Sequence, residues 1–311
     1  MSRNKPVLCL LLILSASGST FAQQSPAASR TTTLAARIVP NDPSKYATAT
    51  HIHGGAGQLH FRTVLRAEDV DAPLVFVHRG VLDPKSGIGQ HFHNECEEMF
   101  VILDGEAEFT IDGRTSVLKG PAGAPVRTGH SHALYNPTDR PLQWMNINVG
   151  MINSYDNFDL GDPHTGVAID PIPQFMTLRL DRALLREQNN YHGGAGKVLY
   201  RRALGPTVFT TPWSYVDHVV IPPGASIGPQ SEPGMGEVYY VMAGAGTLRL
   251  NGEGARVKAD DTVPFKPGEP KTLTNTEREP LELMVIGVAH DMAVKQRYLE
   301  ASAQPAGRVG R

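Results

Sequence analysis

The sequence predicts an all-β protein in which one domain is repeated in tandem. Three observations carry that expectation. Glycine and proline are plentiful, 31 and 24 of 311 residues, and helical stretches are few; such chains fold as short strands joined by tight turns. The pentapeptide HGGAG stands at 53–57 and again at 192–196, an offset of 139 residues. Carried forward without gaps, that offset lays Arg62 on Arg201, Pro84 on Pro223, Glu98 on Glu237, Gly105 on Gly244, Gly113 on Gly252, Gly129 on Gly268 and Asn136 on Asn275. Self-similarity sustained in this way marks a duplicated domain.

In chain order, the N-terminus reads as an export signal. Arg3 and Lys5 precede the apolar run VLCLLLIL, and Thr20 and Ala22 fit the small-residue pattern before a cleavage point. We expect residues 1–22 to be removed after Ala22, because the apolar run is too short to anchor in a bilayer. The mature protein is then periplasmic or extracellular, with no membrane anchor. Its 27 basic and 31 acidic residues give a net charge of −4, which excludes a polyanion-binding surface and hence nucleic acid as a partner. Cys9 leaves with the leader, so Cys96 remains without an intramolecular disulfide partner.

An extension, 23–52, leads into the first unit, 53–150. In EMFVILDGEAEFTIDGRTSVLKG, Asp104-Gly105 and Asp112-Gly113 are hairpin signals between strands, and Asn251-Gly252 repeats the second in the other unit. Phe100, Ile102 and Phe109 are expected to line a barrel; Trp144 and Tyr135 fit either the core or a pocket mouth. A linker, 151–191, follows, with a Pro-punctuated extended crossing and a short helix over DRALLREQ. The second unit, 192–289, ends in a β-rich run, and residues 290–311 form a C-terminal helix and tail.

Chemistry concentrates in GQHFHNECEEMF. Side chains two apart on a strand share a face, so His91 and His93 point the same way. Glu98 follows a short loop, and GHSHALYN offers His132 as a fourth ligand. Three imidazoles and a carboxylate suit a first-row transition metal. Solvated strand histidines would explain none of this spacing. His130 competes with His132 and reads either as an exposed residue or as a base near the ligands. Cys96 reads as packing or as an oxidation-sensitive bystander. His51 and His53 form a second His-x-His, but His53 recurs as His192 in the unit without ligands, so HGGAG reads as a structural turn.

The second unit acts as a control. The offset turns His91 into Gln230, His93 into Glu232 and His132 into Lys271, and keeps Glu98 as Glu237. A protonated lysine has no lone pair for a metal. We expect its ammonium to replace the cation between Glu232 and Glu237, with exposed, unrelated side chains as the alternative.

Gly89, His91, His93, Glu98 and Gly105 resemble the first cupin motif, and Gly129, His132 and Asn136 the second, with Arg127 where that motif has proline. The resemblance implies two tandem cupin-type β-barrels, each a jelly-roll-like double-stranded β-helix, and a metal ligated by His91, His93, Glu98 and His132 in the first barrel alone. It implies open coordination positions for a small-molecule substrate and one divalent metal (Fe, Mn, Cu, Ni or Zn). Single-site bicupins of this kind suggest a dioxygenase-type oxidoreductase on a small phenolic or enolic compound. The alternatives are a non-redox lyase, isomerase or decarboxylase on a small carboxylate or sugar-derived molecule, and a non-catalytic periplasmic binding protein. Monomer and homodimer are both compatible with the sequence.

Overall fold

Long apolar runs such as EEMFVI and LQWMNINVG are too short for helices that need ten or more residues and too continuous for strands with one wet face, so they fold as strands buried on both sides. The computed structural model describes residues 33–303 and shows why both sides are dry. The expected leader, 1–22, lies outside the described residues, as do 23–32 and the tail 304–311.

Each unit is a sandwich of two antiparallel sheets. In the first, one sheet runs in the order Ala47–Thr50, Gln58–Leu65, Leu74–Leu82, Leu142–Gly150, Cys96–Ile102, Ala122–Val126, Leu178–Arg179. The facing sheet runs Phe158–Asp162, Gly87–His93, His130–Tyr135, Glu106–Ile111, Arg114–Lys119. The second unit repeats the plan. Its larger sheet is Arg186–Asn189, Lys197–Leu204, Trp213–Ile221, Leu281–Ala289, Met235–Ala243, Thr262–Phe265; the smaller is Ser226–Gln230, Lys271–Thr274, Ala245–Leu250, Glu253–Lys258. The expected tandem all-β barrels are present.

The two larger sheets pack face to face. Met99, Val101, Met145 and Ile147 of the first unit share a core with Trp213, Val216, Val238, Met284 and Ile286 of the second. Their sequence neighbours face inward: Phe100, Ile102 and Trp144 fill the first barrel with Phe109, and Tyr215, Tyr239, Leu283 and Val285 fill the second. Strand alternation thus assigns odd and even residues to different cores, and burying each large aliphatic side chain contributes about 1.5–3 kcal/mol. The two domains thus cover each other's sheet faces.

Turn chemistry is as expected at Asp112-Gly113 and Asn251-Gly252. All four residues have positive φ (50°, 74°, 50° and 84°), the backbone of a two-residue hairpin turn. Asp104-Gly105 is not a hairpin, because Cys96–Ile102 and Glu106–Ile111 belong to different sheets and the turn carries the chain across the sandwich. DRALLREQ makes one 3-10 turn, Arg182–Leu184, and then the strand Arg186–Asn189, because pairing with Lys197–Leu204 overrides its helix propensity. The C-terminal helix is Met292–Ala303.

Polar contacts lock the units together. Glu97, buried and on the face that meets the second unit, accepts from the backbone and hydroxyl of both Thr210 and Thr211 at 2.6–2.9 Å. Arg127, the departure from the motif's proline, donates to the carbonyls of Val208 (2.6 Å) and Thr207 (3.3 Å). The extension is a strap. Leu34 enters the second barrel's core, Arg37 grips Glu269 with both terminal nitrogens (2.7 and 2.8 Å), and Ala47–Thr50 then joins the first unit's sheet.

Glu97→Ala leaves four donors unpaired and should lower stability by about 2–4 kcal/mol in urea titrations without loss of metal. Equal metal loss from Glu97→Ala and Glu98→Ala would contradict this division between neighbouring residues.

Candidate metal centre

The strand Gly87–His93 can lie where it does because glycine permits close approach. A Cβ at Gly89 would come within 2.1 Å of the His53 carbonyl oxygen, and one at Gly55 within 2.3 Å of that of Gly87. The HGGAG turn is thereby pressed against the ligand strand. His91 is paired with His132 on the neighbouring strand, and His93 lies two residues on, facing the same way. Glu98 reaches them from the opposite sheet, so the four residues span the sandwich.

All four are at most 1% exposed. His132 Nε2 lies 3.0 Å from His91 Nε2, 3.2 Å from His93 Nε2 and 3.0 Å from Glu98 Oε2; His93 Nε2 is 3.1 Å and His91 Nε2 3.5 Å from the same oxygen. The outer ring nitrogens of two ligands are committed: His91 Nδ1 to the Gly89 carbonyl (2.8 Å) and His93 Nδ1 to that of Asp156 (2.6 Å). A carbonyl only accepts, so both Nδ1 atoms carry hydrogen and both Nε2 lone pairs turn inward when the rings are neutral. Inward lone pairs converging beside a buried carboxylate repel one another unless a cation joins them. The donor set fits a transition metal.

Electrostatics give the same answer. Burial opposes charge on His93, but the Glu98 carboxylate, helped by Cys96, raises its pKa to about 11. Burial would raise Glu98, yet His93, His132 and His91 hold it well below the usual carboxylate range. Burial and the neighbouring His91 push His132 down to about 3. Without a metal, one proton balances Glu98; a divalent ion must displace it, so uptake releases acid and affinity rises with pH.

Several residues that support the ligands carried no signal in the sequence. Asn146 (2.8 Å) and Asn148 (3.4 Å) donate to Glu98 Oε1, leaving Oε2 for the centre. Asp156, from the linker, receives His93 through its carbonyl and caps the amides of Asn94 (2.7 Å) and Glu95 (3.0 Å) through its carboxylate. A hydrophobic-periodicity reading sees Asn146 and Asn148 only as interruptions of an apolar strand. Cys96 is fully buried and has polar partners beside His93: His93 Nδ1 at 3.5 Å, Asp156 Oδ1 at 3.3 Å and Asn148 Nδ2 at 3.2 Å. His130 is the exposed residue: it bonds Asp112 at 2.6 Å away from the centre. His53 holds the left-handed turn (φ 50°), as His192 does (φ 53°), but its ring also stacks on His91 with centroids 3.8 Å apart. A turn is therefore only part of its role.

A cavity of about 450 Å³ reaches His91 and Glu98 and is walled by Phe61, Phe76, Phe100 and Trp144. Trp144 is both core and cavity wall; Tyr135 is neither buried nor part of that wall. His78 is stacked on Phe76 at 3.8 Å, and burial lowers its pKa to about 4, so His78 itself adds no charge to the wall at neutral pH.

A cupin-domain family profile matches residues 78–148 and 217–287. The chain carries the cupin domain twice. Among curated proteins, an oxalate-binding protein of Thermotoga maritima is 27% identical over 111 residues, 36% of this chain and 92% of that one. Among solved structures, salicylate 1,2-dioxygenase from Pseudoaminobacter salicylatoxidans, as adducts with gentisate, has a TM-score of 0.57 at 16% identity, over 77% of this chain and 75% of that one. A deletion mutant of Bacillus subtilis oxalate decarboxylase has a TM-score of 0.55 at 17% identity, over 81% and 77%. At these identities the structures establish a shared bicupin fold.

In the second cupin domain, Lys271 Nζ is bonded to Glu237, both 3% exposed, and Tyr215 donates to the other carboxylate oxygen at 2.8 Å. The ammonium also lies over Phe265, 5.0 Å from the ring centroid, a cation–π contact. Lys271 thus holds the charge opposite Glu237, as expected; Glu232 lines the cavity beside it. The offset also turns Phe61, Phe76 and Phe100 into Tyr200, Tyr215 and Tyr239. Arg202 and Asp217 bridge at 2.9 and 3.0 Å in the same space, which leaves about 160 Å³.

Elemental analysis should find about one transition metal per chain, lost in His91→Ala/His93→Ala. Asn146→Ala and Asn148→Ala should each weaken affinity about 10–100-fold in chelator competition; unchanged affinity would show that Glu98 is oriented without them. Lys271→Met strands Glu237 and should cost about 3–5 kcal/mol in thermal melts, and Lys271→Met/Glu237→Gln should recover part of it.

Proposed function

We propose that the protein is an exported, metal-dependent oxidoreductase of dioxygenase type acting on a small phenolic or enolic compound. The observation that carries this reading is the aromatic wall of the cavity at Glu98 and His91. An apolar cavity of about 150 Å³ already holds benzene, so about 450 Å³ admits a substituted ring. Phe61, Phe76, Phe100 and Trp144 offer faces and edges for stacking on such a ring, and they exclude water from it.

His91, His93, Glu98 and His132 would hold the metal, with Asn146, Asn148 and Asp156 fixing their orientation. A redox-active divalent ion there supplies the electron exchange with O₂ that closed-shell side chains lack. Because a dioxygenase places both oxygen atoms in its product, no further reductant has to reach the site. The leader sequence supports action in the periplasm or outside the cell.

A second reading is a non-redox lyase or decarboxylase on a small carboxylate. Two observations favour it: the Thermotoga maritima relative is described as oxalate-binding, and Arg66 stands at the cavity wall as a cation for a carboxylate.

Protein loaded with iron, copper or nickel should consume O₂ in step with the loss of a phenolic substrate, and His91→Ala/His93→Ala should abolish uptake. CO₂ release from a small carboxylate without O₂ uptake would favour the second reading instead.

A further inference from the structure

The segment joining the two cupin domains places side chains at the mouth of the first that metal ligation does not explain. Tyr155 lines the cavity, its hydroxyl 3.2 Å from His53 Nε2. His53 Nδ1 is hydrogen-bonded to Asp159. The strand Phe158–Asp162 sets that carboxylate opposite His91 in an antiparallel pair. Asp159, His53 and Tyr155 therefore form a chain that lies against a ligand ring.

The direction of its hydrogens follows from the partners. A carboxylate accepts, so His53 Nδ1 carries the hydrogen. The ring is stacked on His91, and a second positive charge beside a metal ligand is disfavoured. His53 Nε2 is then an acceptor and takes the hydrogen of Tyr155. The phenol oxygen, its own hydrogen committed and the Asn157 side chain donating to it, offers the cavity only its remaining acceptor capacity.

The second cupin domain lacks the arrangement. His192 keeps the turn, but after its last strand the second domain runs into the helix Met292–Ala303, and among the described residues no strand corresponding to Phe158–Asp162 pairs with Ser226–Gln230. The chain occurs where the metal ligands occur.

We propose that Tyr155, held by His53 and Asp159, determines specificity by accepting a hydrogen bond from a substrate hydroxyl. The first cupin domain then selects compounds that enter with a protonated hydroxyl on an aromatic or enolic ring. This rests on reading the cavity as a site for phenolic compounds, but not on oxidation occurring there.

The test is calorimetric binding of catechol and of its dimethyl ether to zinc-loaded protein, in which no oxidation intervenes. Any preference due to the metal is common to all variants. Tyr155→Phe should reduce the preference for catechol by about fivefold, the worth of one hydrogen bond, with zinc content unchanged. Asp159→Asn, which keeps the phenol but loosens His53, should reduce it by less. An unchanged preference in Tyr155→Phe would overturn the proposal, as would wild-type protein that binds neither probe. A lost preference with no O₂ uptake by the iron, copper or nickel forms would sustain it and refute the oxidation.

Discussion

The fold depends on the burial of both faces of the two larger sheets. One face of each closes a barrel; the other meets its counterpart from the second cupin domain. Every step along Cys96–Ile102 therefore passes from one environment to another. Glu97 and Glu98 are chemically identical and adjacent, yet one ties the domains together and the other faces the three histidines. Slippage of this strand by one residue would exchange those duties and drive every apolar side chain into the wrong core. The position of Glu98 is thus fixed by packing on both sides of its strand.

Inside each barrel stands a buried carboxylate, Glu98 or Glu237, and a lone buried anion is too costly to keep. The domains meet the same demand with different cations. In the first, imidazoles surround the carboxylate and the donor set suits a metal. In the second, Lys271 brings its own charge, and tyrosines with the Arg202–Asp217 pair fill space that aromatic walls leave open in the first. A barrel filled in this way keeps its shape while giving up the room for a substrate.

Duplication made much of this legible in the sequence, because the second domain shows which residues the fold needs without the ligands. The four ligands, the two hairpin turns and the lysine substitution could all be read from spacing. Other features depend on contacts between residues far apart in the chain. Asn146 and Asn148 interrupt an apolar run for a reason visible only once Glu98 lies across from them. The linker's Asp156, Tyr155 and Asp159 carry no motif, and their roles arise from where the crossing passes over the first barrel. DRALLREQ has helical composition, but a neighbouring strand claimed its backbone. The second role of His53 was hidden by its recurrence as His192, since one residue can serve a turn in both copies and a site in only one.

The strap has a consequence for the order of assembly. Leu34 donates its amide to Glu253 at 2.7 Å, at a sequence separation of 219, and Val39 pairs with Thr262. A ribosome or translocation channel delivers the N-terminal side of these contacts first and the C-terminal side last. The first barrel can close while the rest of the chain is still emerging, whereas the second must wait to receive a segment made long before it. Completion of the molecule is thereby tied to the arrival of the strands that carry Glu253 and Thr262, and a chain interrupted before them would keep the strap's apolar residues without a place to bury them.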